Sequence, residues 1–505
     1  MRLAEVLTSL GMAIEIGLGV PAQTIQRTAL VAVRLARAAG LDDDDVAAAY
    51  FLAMLRYVGC TTTSHRTSML VDELAIGDLL VVADEEFVPE LERALGAHMP
   101  EAEARTAAQR VAAAFASKQM AHDHRQHCEA AELIAVRLGL GPRVIEGLTH
   151  AYERWDGMGS QRLARGDGIP LPMRVVQVAY QVGQDSIGRG ATEIGERIHA
   201  RAGKQFDPAL AALIAADPPH FLAGMGDGDL PQDLLDAEPG KPIWLSEEAI
   251  DRGLSAIADF GDLKSPHMIG HSRRVATVAR QAARAASMSP SDVASVGRAA
   301  LVHDVGRVGV PSRLLGKTGT LGRAEHERIR LHSYLTERIF AGSPMLAPLG
   351  ALGSAHHERL DGSGYHRGLA ASGLSPSARL LAAANAWCAL TEARPHRPRM
   401  TESEAASSLA AQAKEGRFDR RAVEAVLTAA GQKGTHTRRA ATMVLSEREV
   451  DVLRYVAREE TNASIAHALG ISPKTVERHV THIYDKLGVS TRAGAAIYAL
   501  ENGLL

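Results

Sequence analysis

Apolar side chains return at helical spacing along much of the chain. Val450, Leu453 and Val456 form one stripe, and Val476, Val480, Ile483 and Leu487 form another at i, i+4, i+7 and i+11. Each stripe predicts a helix with one buried face. Ser446 followed by Glu449 is a capping box that opens the first. Thr461 caps a short helix that turns Ile465, Ala466 and Leu469 inward and stops at Gly470. Ser472 and Pro473 then start the third. Further upstream, Arg298-Ala299-Ala300-Leu301-Val302 is an apolar helical run that ends on His303 and Asp304, with Gly306 placed to break it. Ala-rich stretches such as Ala382 to Ala384, with aromatics at only 4%, favour close helix packing over sheet. The pattern predicts an all-α protein.

Composition narrows the setting. At 505 residues the chain is too long for one core and suggests about three domains. Lys plus Arg number 56 against 59 Asp plus Glu, a formal charge of -3, so any contact with nucleic acid must be local. Cys60, Cys128 and Cys388 are widely spaced with no Cys-x-x-Cys pair, which argues against a disulfide framework or zinc ribbon. Charge interrupts the first residues too early for a secretory segment, and no run of about 18 apolar residues follows. A cytoplasmic protein with no membrane partner is expected.

The chain repeats itself. His356 to Asn385, with Glu358-Arg359-Leu360-Asp361-Gly362, matches the stretch from His150 to Tyr180, with Glu153-Arg154-Trp155-Asp156-Gly157, and the register that sets Glu358 on Glu153 holds without a gap to Asn385 on Tyr180. Upstream, Gly270 to Arg274 pairs with Gln23 to Arg27, and the same register sets His303-Asp304 on Arg56-Tyr57. The extra length of the first copy falls between Thr61 and Met120. Thr24, Arg56, Tyr57, Ala151, Tyr152 and Tyr180 occupy the positions of His271, His303, Asp304, His356, His357 and Asn385, and only His332 keeps a histidine, at His127. So few ligands around a cation should hold no divalent metal, and the first copy, residues 1–226, is read as a pseudo-domain kept for packing, sensing or dimerisation. His122-Asp123 imitates a metal dipeptide but is out of register and reads as a solvated helix face. Glycines and prolines mark a linker at 227–245 between the first copy and the second, 246–430. A second linker, 431–442, carries Lys433, Arg438 and Arg439 and leads to the last domain, 443–505.

The second copy concentrates metal-ligand chemistry. His271, His303, Asp304, His332, His356 and His357 are candidates, and His267, one helical turn before His271, is expected on the same side. A lone histidine is more often a hydrogen-bonded core residue. A His-Asp dipeptide plus a His-His-Glu run is hard to explain as packing, because every buried imidazole needs a partner. A carboxylate beside a histidine can bridge two cations, and imidazole suits Fe, Mn or Zn better than Mg.

These residues resemble the HD-GYP family of phosphodiesterases within the HD superfamily, over about 250 to 430 and in degraded form over 1 to 215. The matching positions are His271, His303-Asp304, His332, His356-His357 and Asp361-Gly362-Ser363-Gly364-Tyr365. The resemblance implies a helical bundle with a divalent metal pair, Fe or Mn, that hydrolyses a cyclic dinucleotide, with Arg394 and Arg397 gripping substrate phosphates. Three departures stand out. Arg307 replaces the family lysine, His366 replaces the proline of Gly-Tyr-Pro, and Asn385 replaces a metal-binding aspartate. Arg307 keeps the charge that neutralises phosphate but cannot deprotonate. Asn385 offers an oxygen without negative charge, so one metal should be held more weakly.

Residues 443–505 resemble the LuxR-type helix-turn-helix domain over their whole length. The resemblance implies DNA binding through the helix begun at Ser472. With its apolar stripe inward, Glu477, Arg478 and Thr481 are base-edge candidates, and Lys474, Thr475 and His479 are phosphate candidates. Seven basic residues against eight acids from Leu445 onward make this module a weak binder alone. Pairing through the last helix, with Ala493, Ala496, Ile497 and Leu500 on one side, would bring two recognition helices to two half-sites of a homodimer's target. Three readings stay open: a regulator that hydrolyses a nucleotide signal, a regulator that only binds it or dimerises, and an enzyme whose last module docks to protein.

Overall fold

The computed structural model describes residues 1–69, 84–96, 99–115, 118–225, 230–431 and 445–505. Among these, every regular element is helical, and the only extended pairings are isolated bridges. The chain divides into two compact units, Met1–Ile250 and Asp251–Leu505.

The internal repeat is visible element by element. Helices Thr24–Ala38 and Asp43–Leu55 of the first unit have the start points and register of His271–Ala285 and Pro290–Val302 in the second. Lys118–Arg137, Pro142–Thr149 and Leu171–Asp185 answer in the same way to Arg323–Phe340, Ala347–Ser354 and Pro376–Thr391. Even the closest backbone approach is shared. A Cβ on Gly59 would lie 2.0 Å from the carbonyl oxygen of His127, and one on Gly306 would lie 2.1 Å from that of His332. Only glycine fits either position. The first unit's additional helices, Asp84–Gly96 and Glu101–Phe115, close a small core of their own around Leu91, Leu95, Ala104, Ala108 and Val111.

Two expectations change. The first of the supposed linkers is partly structure: Leu230–Asp236 is a helix with Pro231 in its first turn, where proline is tolerated, and with Leu230 and Leu234 buried. Tyr50 donates to the carbonyl of Leu234 at 2.8 Å and Leu3 N donates to Ile243 at 2.8 Å, so the first unit runs on to the start of helix Glu247–Asp262. His267 does not sit one helical turn before His271. Residues 263–270 are turns after that helix, interrupted at Ser265-Pro266, and His267 is exposed while His271 is the first residue of its own helix. The second linker, with Lys433, Arg438 and Arg439, lies outside the described residues except at its first position.

The C-terminal module has the four helices and the caps its sequence calls for. Ser446 accepts from Glu449 N in a capping box, Thr461 from Ser464 N, Ser472 from Thr475 N and Thr491 from Gly494 N. Its core contains Val450, Leu453, Val456, Ile465, Val476 and Ile483, with Val480 and Leu487 packed at the margin.

Candidate metal centre

Asp304 is the middle of the site. The helix Pro290–Val302 ends at His303, and Asp304 caps the 3-10 turn Val305–Gly309 that follows. Its carboxylate is buried and faces two groups of imidazoles, one on each oxygen. Oδ2 lies 3.2 Å from Nε2 of His303 and 3.5 Å from Nε2 of His271. Oδ1 lies 3.4 Å from Nε2 of His332 and 3.3 Å from Nε2 of His356. The candidate ligand atoms fall into two trios, His271 with His303 and Asp304, and His332 with His356 and His357.

Backbone carbonyls set the tautomers. Nδ1 of His303, His332 and His356 lies 2.6, 2.6 and 2.8 Å from the carbonyl oxygens of Ala300, Ile329 and Gly353. A carbonyl only accepts, so each ring carries its proton on Nδ1 and turns an Nε2 lone pair to Asp304. Two such lone pairs, on His332 and His356, are 3.1 Å apart. That approach is repulsive unless a cation or a proton stands between them. Nε2 of His303 and both oxygens of Asp304 are buried without a hydrogen-bond partner, an expensive arrangement for a protein interior. The donor set of imidazoles around a bridging carboxylate therefore fits a divalent pair.

Charge and burial act on the ligands unequally: burial lowers His271, whereas at His303 burial is outweighed by Asp304 beside it, which raises that imidazole above the usual range. Burial pushes His332 and His357 well below the usual histidine range and His356 to about 4, so they are neutral at pH 7. Burial opposes ionisation of Asp304, but Arg307 and His303 beside it hold its carboxyl well below the ordinary value. His271 carries a support of its own: Nδ1 meets Oε2 of Glu392 at 2.8 Å, which leaves Nε2 for a metal, 3.1 Å from Oδ1 of Asn385.

The site residues expected from sequence separate into those the fold gathers and those it does not. His271, His303, Asp304, His332, His356, His357 and Asn385 come together, and Arg307 reaches Asp304 Oδ2 at 2.9 Å. Arg394 approaches from the far side, 2.8 Å from Glu392 Oε2 and 3.4 Å from His271 Nδ1. Arg397 is spent elsewhere. Its guanidinium donates to the carbonyls of Ala389, Leu390 and Pro398 at the end of helix Pro376–Thr391, and no described contact takes it to the cluster. Glu358, next to the paired histidines, is a loop clasp that accepts from Arg367 N and Leu369 N at 2.8 and 2.9 Å. Glu392 was not anticipated. Its one signal in the sequence is an acid two residues before Arg394, too common a pattern to single out.

In the first unit the same positions are filled with rings. Arg56 donates to the carbonyl of Ala151 at 3.2 and 3.0 Å and lies over Tyr57 and Tyr180. His127 spends both nitrogens, one at 3.0 Å from the Tyr152 hydroxyl and one at 2.6 Å from Thr63 Oγ1. His122 is exposed, as a solvated face requires, but Asp123 is half-buried and pairs with Arg66 at 2.6 Å.

On the C-terminal module, Lys474, Glu477, Arg478 and Thr481 are exposed along the helix Pro473–Leu487, and Thr475 and His479 are half-buried beside them. The pairing face is not free. Ala493, Ala496, Ile497 and Leu500 are all buried within the chain.

Comparison with known proteins agrees with both regions. The HD domain family model matches residues 256–422, and that of the bacterial regulatory proteins of the luxR family matches residues 443–499. A 3′3′-cGAMP-specific phosphodiesterase 3 of Vibrio cholerae is 30% identical over 276 residues, 54% of this chain and 60% of that protein. The chain thus spans less than two thirds of that relative. The transcriptional regulatory protein LiaR of Bacillus subtilis is 44% identical over 61 residues, 12% of this chain and 29% of its own. A crystal structure of a cyclic GMP-AMP-specific phosphodiesterase of V. cholerae superposes with a TM-score of 0.59 at 23% identity, covering 86% of this chain and 98% of that one. It shares the fold. No helix among the described residues is long and apolar enough to cross a membrane.

Proposed function

We propose that this protein is a DNA-binding regulator whose second unit hydrolyses a cyclic dinucleotide at a divalent metal pair, Fe or Mn, and that it works in the cytoplasm as a homodimer. The observation that carries the reading is Asp304 between two groups of histidines, with its oxygens and the Nε2 of His303 buried without a hydrogen-bond partner. His271, His303 and Asp304 would hold one ion, with Asn385 completing its shell, and His332, His356 and His357 the other, with Asp304 shared. When bound, the pair supplies Lewis acidity and an acidified water at the phosphorus. The chain's own residues do the rest. Carbonyls at 300, 329 and 353 fix the imidazoles, Glu392 orients His271, and Arg307 and Arg394 neutralise phosphate charge from two sides.

The domain division that goes with this reading is a degenerate HD copy over about 1–250, an HD copy with the ligand set over 251–431, and a helix-turn-helix module over 445–505. The choice of substrate class rests on the relatives from V. cholerae. A second reading, a sensor that binds the nucleotide without cleaving it, is favoured by one residue, Asn385, which lacks the charge of a carboxylate ligand.

The test is metal content and turnover together. Anaerobically purified wild type should carry about two ions per chain and cleave 3′3′-cGAMP or cyclic di-GMP, and Asp304→Ala should lose both properties. Metal without cleavage of either dinucleotide would favour the sensor, and no metal after reconstitution would sink the proposal. For the module, Arg478→Ala with Thr481→Ala should abolish binding to a selected DNA site; retained binding would contradict the assigned face.

A further inference from the structure

The turn formed by residues 263–270 touches three functional places at once. Met268 on this turn is buried, and Nη1 of Arg307 donates to its sulfur at 3.1 Å. Nη1 of Arg394 points at the same sulfur. A thioether is a weak acceptor, and two guanidiniums aimed at one repel each other. That is an arrangement an anion would improve. Two residues on, Gly270 takes φ +81 and caps the helix that begins with His271. A Cβ on Gly270 would stand 3.1 Å from Cδ2 of Leu500 in the last helix, Arg492–Glu501.

The burial of that last helix has two sources. Ala495 and Ala499 belong to the core of the DNA-binding module, whereas Ala493, Ala496, Ile497 and Leu500 are buried but do not. Their side of the helix is covered by the rest of the chain, with Gly270 against Leu500. At its edge Glu501 acts electrostatically on Arg273, whose guanidinium is bidentate to Asp259 at 2.7 and 2.8 Å. The recognition face stays exposed while the pairing face is covered.

We propose that the 263–270 turn is a relay: Met268 occupies the place of a ligand phosphate between Arg307 and Arg394, and a phosphate that displaces it lifts Gly270 from Leu500 and frees the pairing face. The proposal rests on the reading of the two arginines as phosphate-binding groups. Exchanging a thioether for a phosphate gives both guanidiniums charge-assisted bonds. Ile269 alone separates Met268 from Gly270, so a backbone shift at one is felt at the other. Occupancy of the site would then govern whether two modules pair on DNA.

The experiment uses the metal-loaded full chain with pyrophosphate as the probe. At a concentration below that of pairing, pyrophosphate should speed hydrogen exchange over 263–270 and 492–501 by about tenfold or more, and at higher concentration it should shift sedimentation from monomer to dimer. Met268→Ala should show the faster exchange without pyrophosphate. Glu501→Arg, remote from the two arginines, should free the last helix and by linkage tighten pyrophosphate binding, and Ala496→Arg should free it yet stay monomeric. No pyrophosphate binding, saturation that leaves 492–501 protected, or wild-type protection in both Met268→Ala and Glu501→Arg would each overturn the relay. A chain that responds to pyrophosphate but cleaves no cyclic dinucleotide would sink the hydrolase alone, and one that cleaves without responding would sink the relay alone.

Discussion

His127 and His332 stand at corresponding places in two similar helical frames and do opposite work. His332 keeps one nitrogen for a carbonyl and turns the other to a carboxylate and a second histidine, with the Ser333 hydroxyl 3.3 Å away. His127 has both nitrogens satisfied by Tyr152 and Thr63. Around His332 the buried polar atoms are left waiting. Around His127, Tyr57 and Tyr180 pack with ring centroids 4.8 Å apart and Arg56 lies across them. The difference teaches that the frame, including Gly59 and Gly306 at the tightest approach, does not depend on the metal chemistry. A set of candidate metal ligands and a cluster of tyrosines are alternative ways of filling the same space.

The largest effect should come from removing the bridge. Asp304→Ala removes one member of the His271 trio and the carboxylate oxygen that faces His332 and His356 beside the other, so both ions should be lost and turnover should fall by about a thousandfold or more, roughly 4 kcal/mol of barrier. Elemental analysis beside a hydrolysis assay checks it. Retention of a full metal complement would mean the two trios do not share Asp304. The matching change in the first unit, Tyr57→Ala, removes a fully enclosed ring and should cost about 3–5 kcal/mol of that unit's stability with no change in metal content. Denaturant unfolding of the full chain would read it, and a loss of metal instead would break the comparison.

Much of this was legible in the chain. The helical stripes, the caps at Ser446, Thr461 and Ser472 and the repeat register all rest on local rules, and the structure follows them. The histidines were visible because so many buried imidazoles need an explanation. What could not be read is orientation across the fold. Arg394 and Arg397 look alike in sequence, yet one meets Glu392 and the other donates to carbonyls at the end of the preceding helix. The expected pairing of His267 with His271 failed because residues 266–270 are turns and Gly270, at φ +81, stands just before the helix that His271 begins, a signal present in the chain but outweighed by the i, i+4 spacing. Leu230–Asp236 falls inside the linker the sequence predicts because Pro231 reads as a breaker, although proline is at home in a first turn.

A smaller effect compares two carboxyls at corresponding places. Glu15 accepts from Gln23 N and Ile25 N at 2.9 and 2.7 Å, as Asp262 accepts from Ser272 N and Oγ at 2.9 and 2.8 Å. Burial raises Glu15 to about 7 against the pull of those backbone donors. A raised carboxyl contributes fully below its unfolded value and loses that contribution as pH climbs through the folded one. The first unit should therefore lose up to about 3 kcal/mol between roughly pH 4.5 and 7. Glu15→Gln should flatten that slope in denaturant titrations run across the range. An unchanged slope would assign the pH dependence to other groups.

The smallest and most discriminating change concerns the position where the two units hold Tyr180 and Asn385. Tyr180 is wholly buried, with its hydroxyl unpaired among rings, a residue for packing. Asn385 is almost as buried but keeps an amide oxygen 3.1 Å from Nε2 of His271, on the side of the His271, His303 and Asp304 trio. It thus stands between the two solutions, a ligand in shape without the charge that makes a carboxylate hold a cation. Asn385→Asp changes almost no volume and adds that charge. It should tighten one of the two ions by about tenfold, roughly 1.4 kcal/mol, read by competition with a chelator, and leave the other unaffected. Equal affinity for both ions before and after would place residue 385 outside the coordination shell, with its amide serving only to orient His271. In that case the departure from an acidic residue would cost the site nothing, and the case for a binding-only role would lose the observation on which it stands.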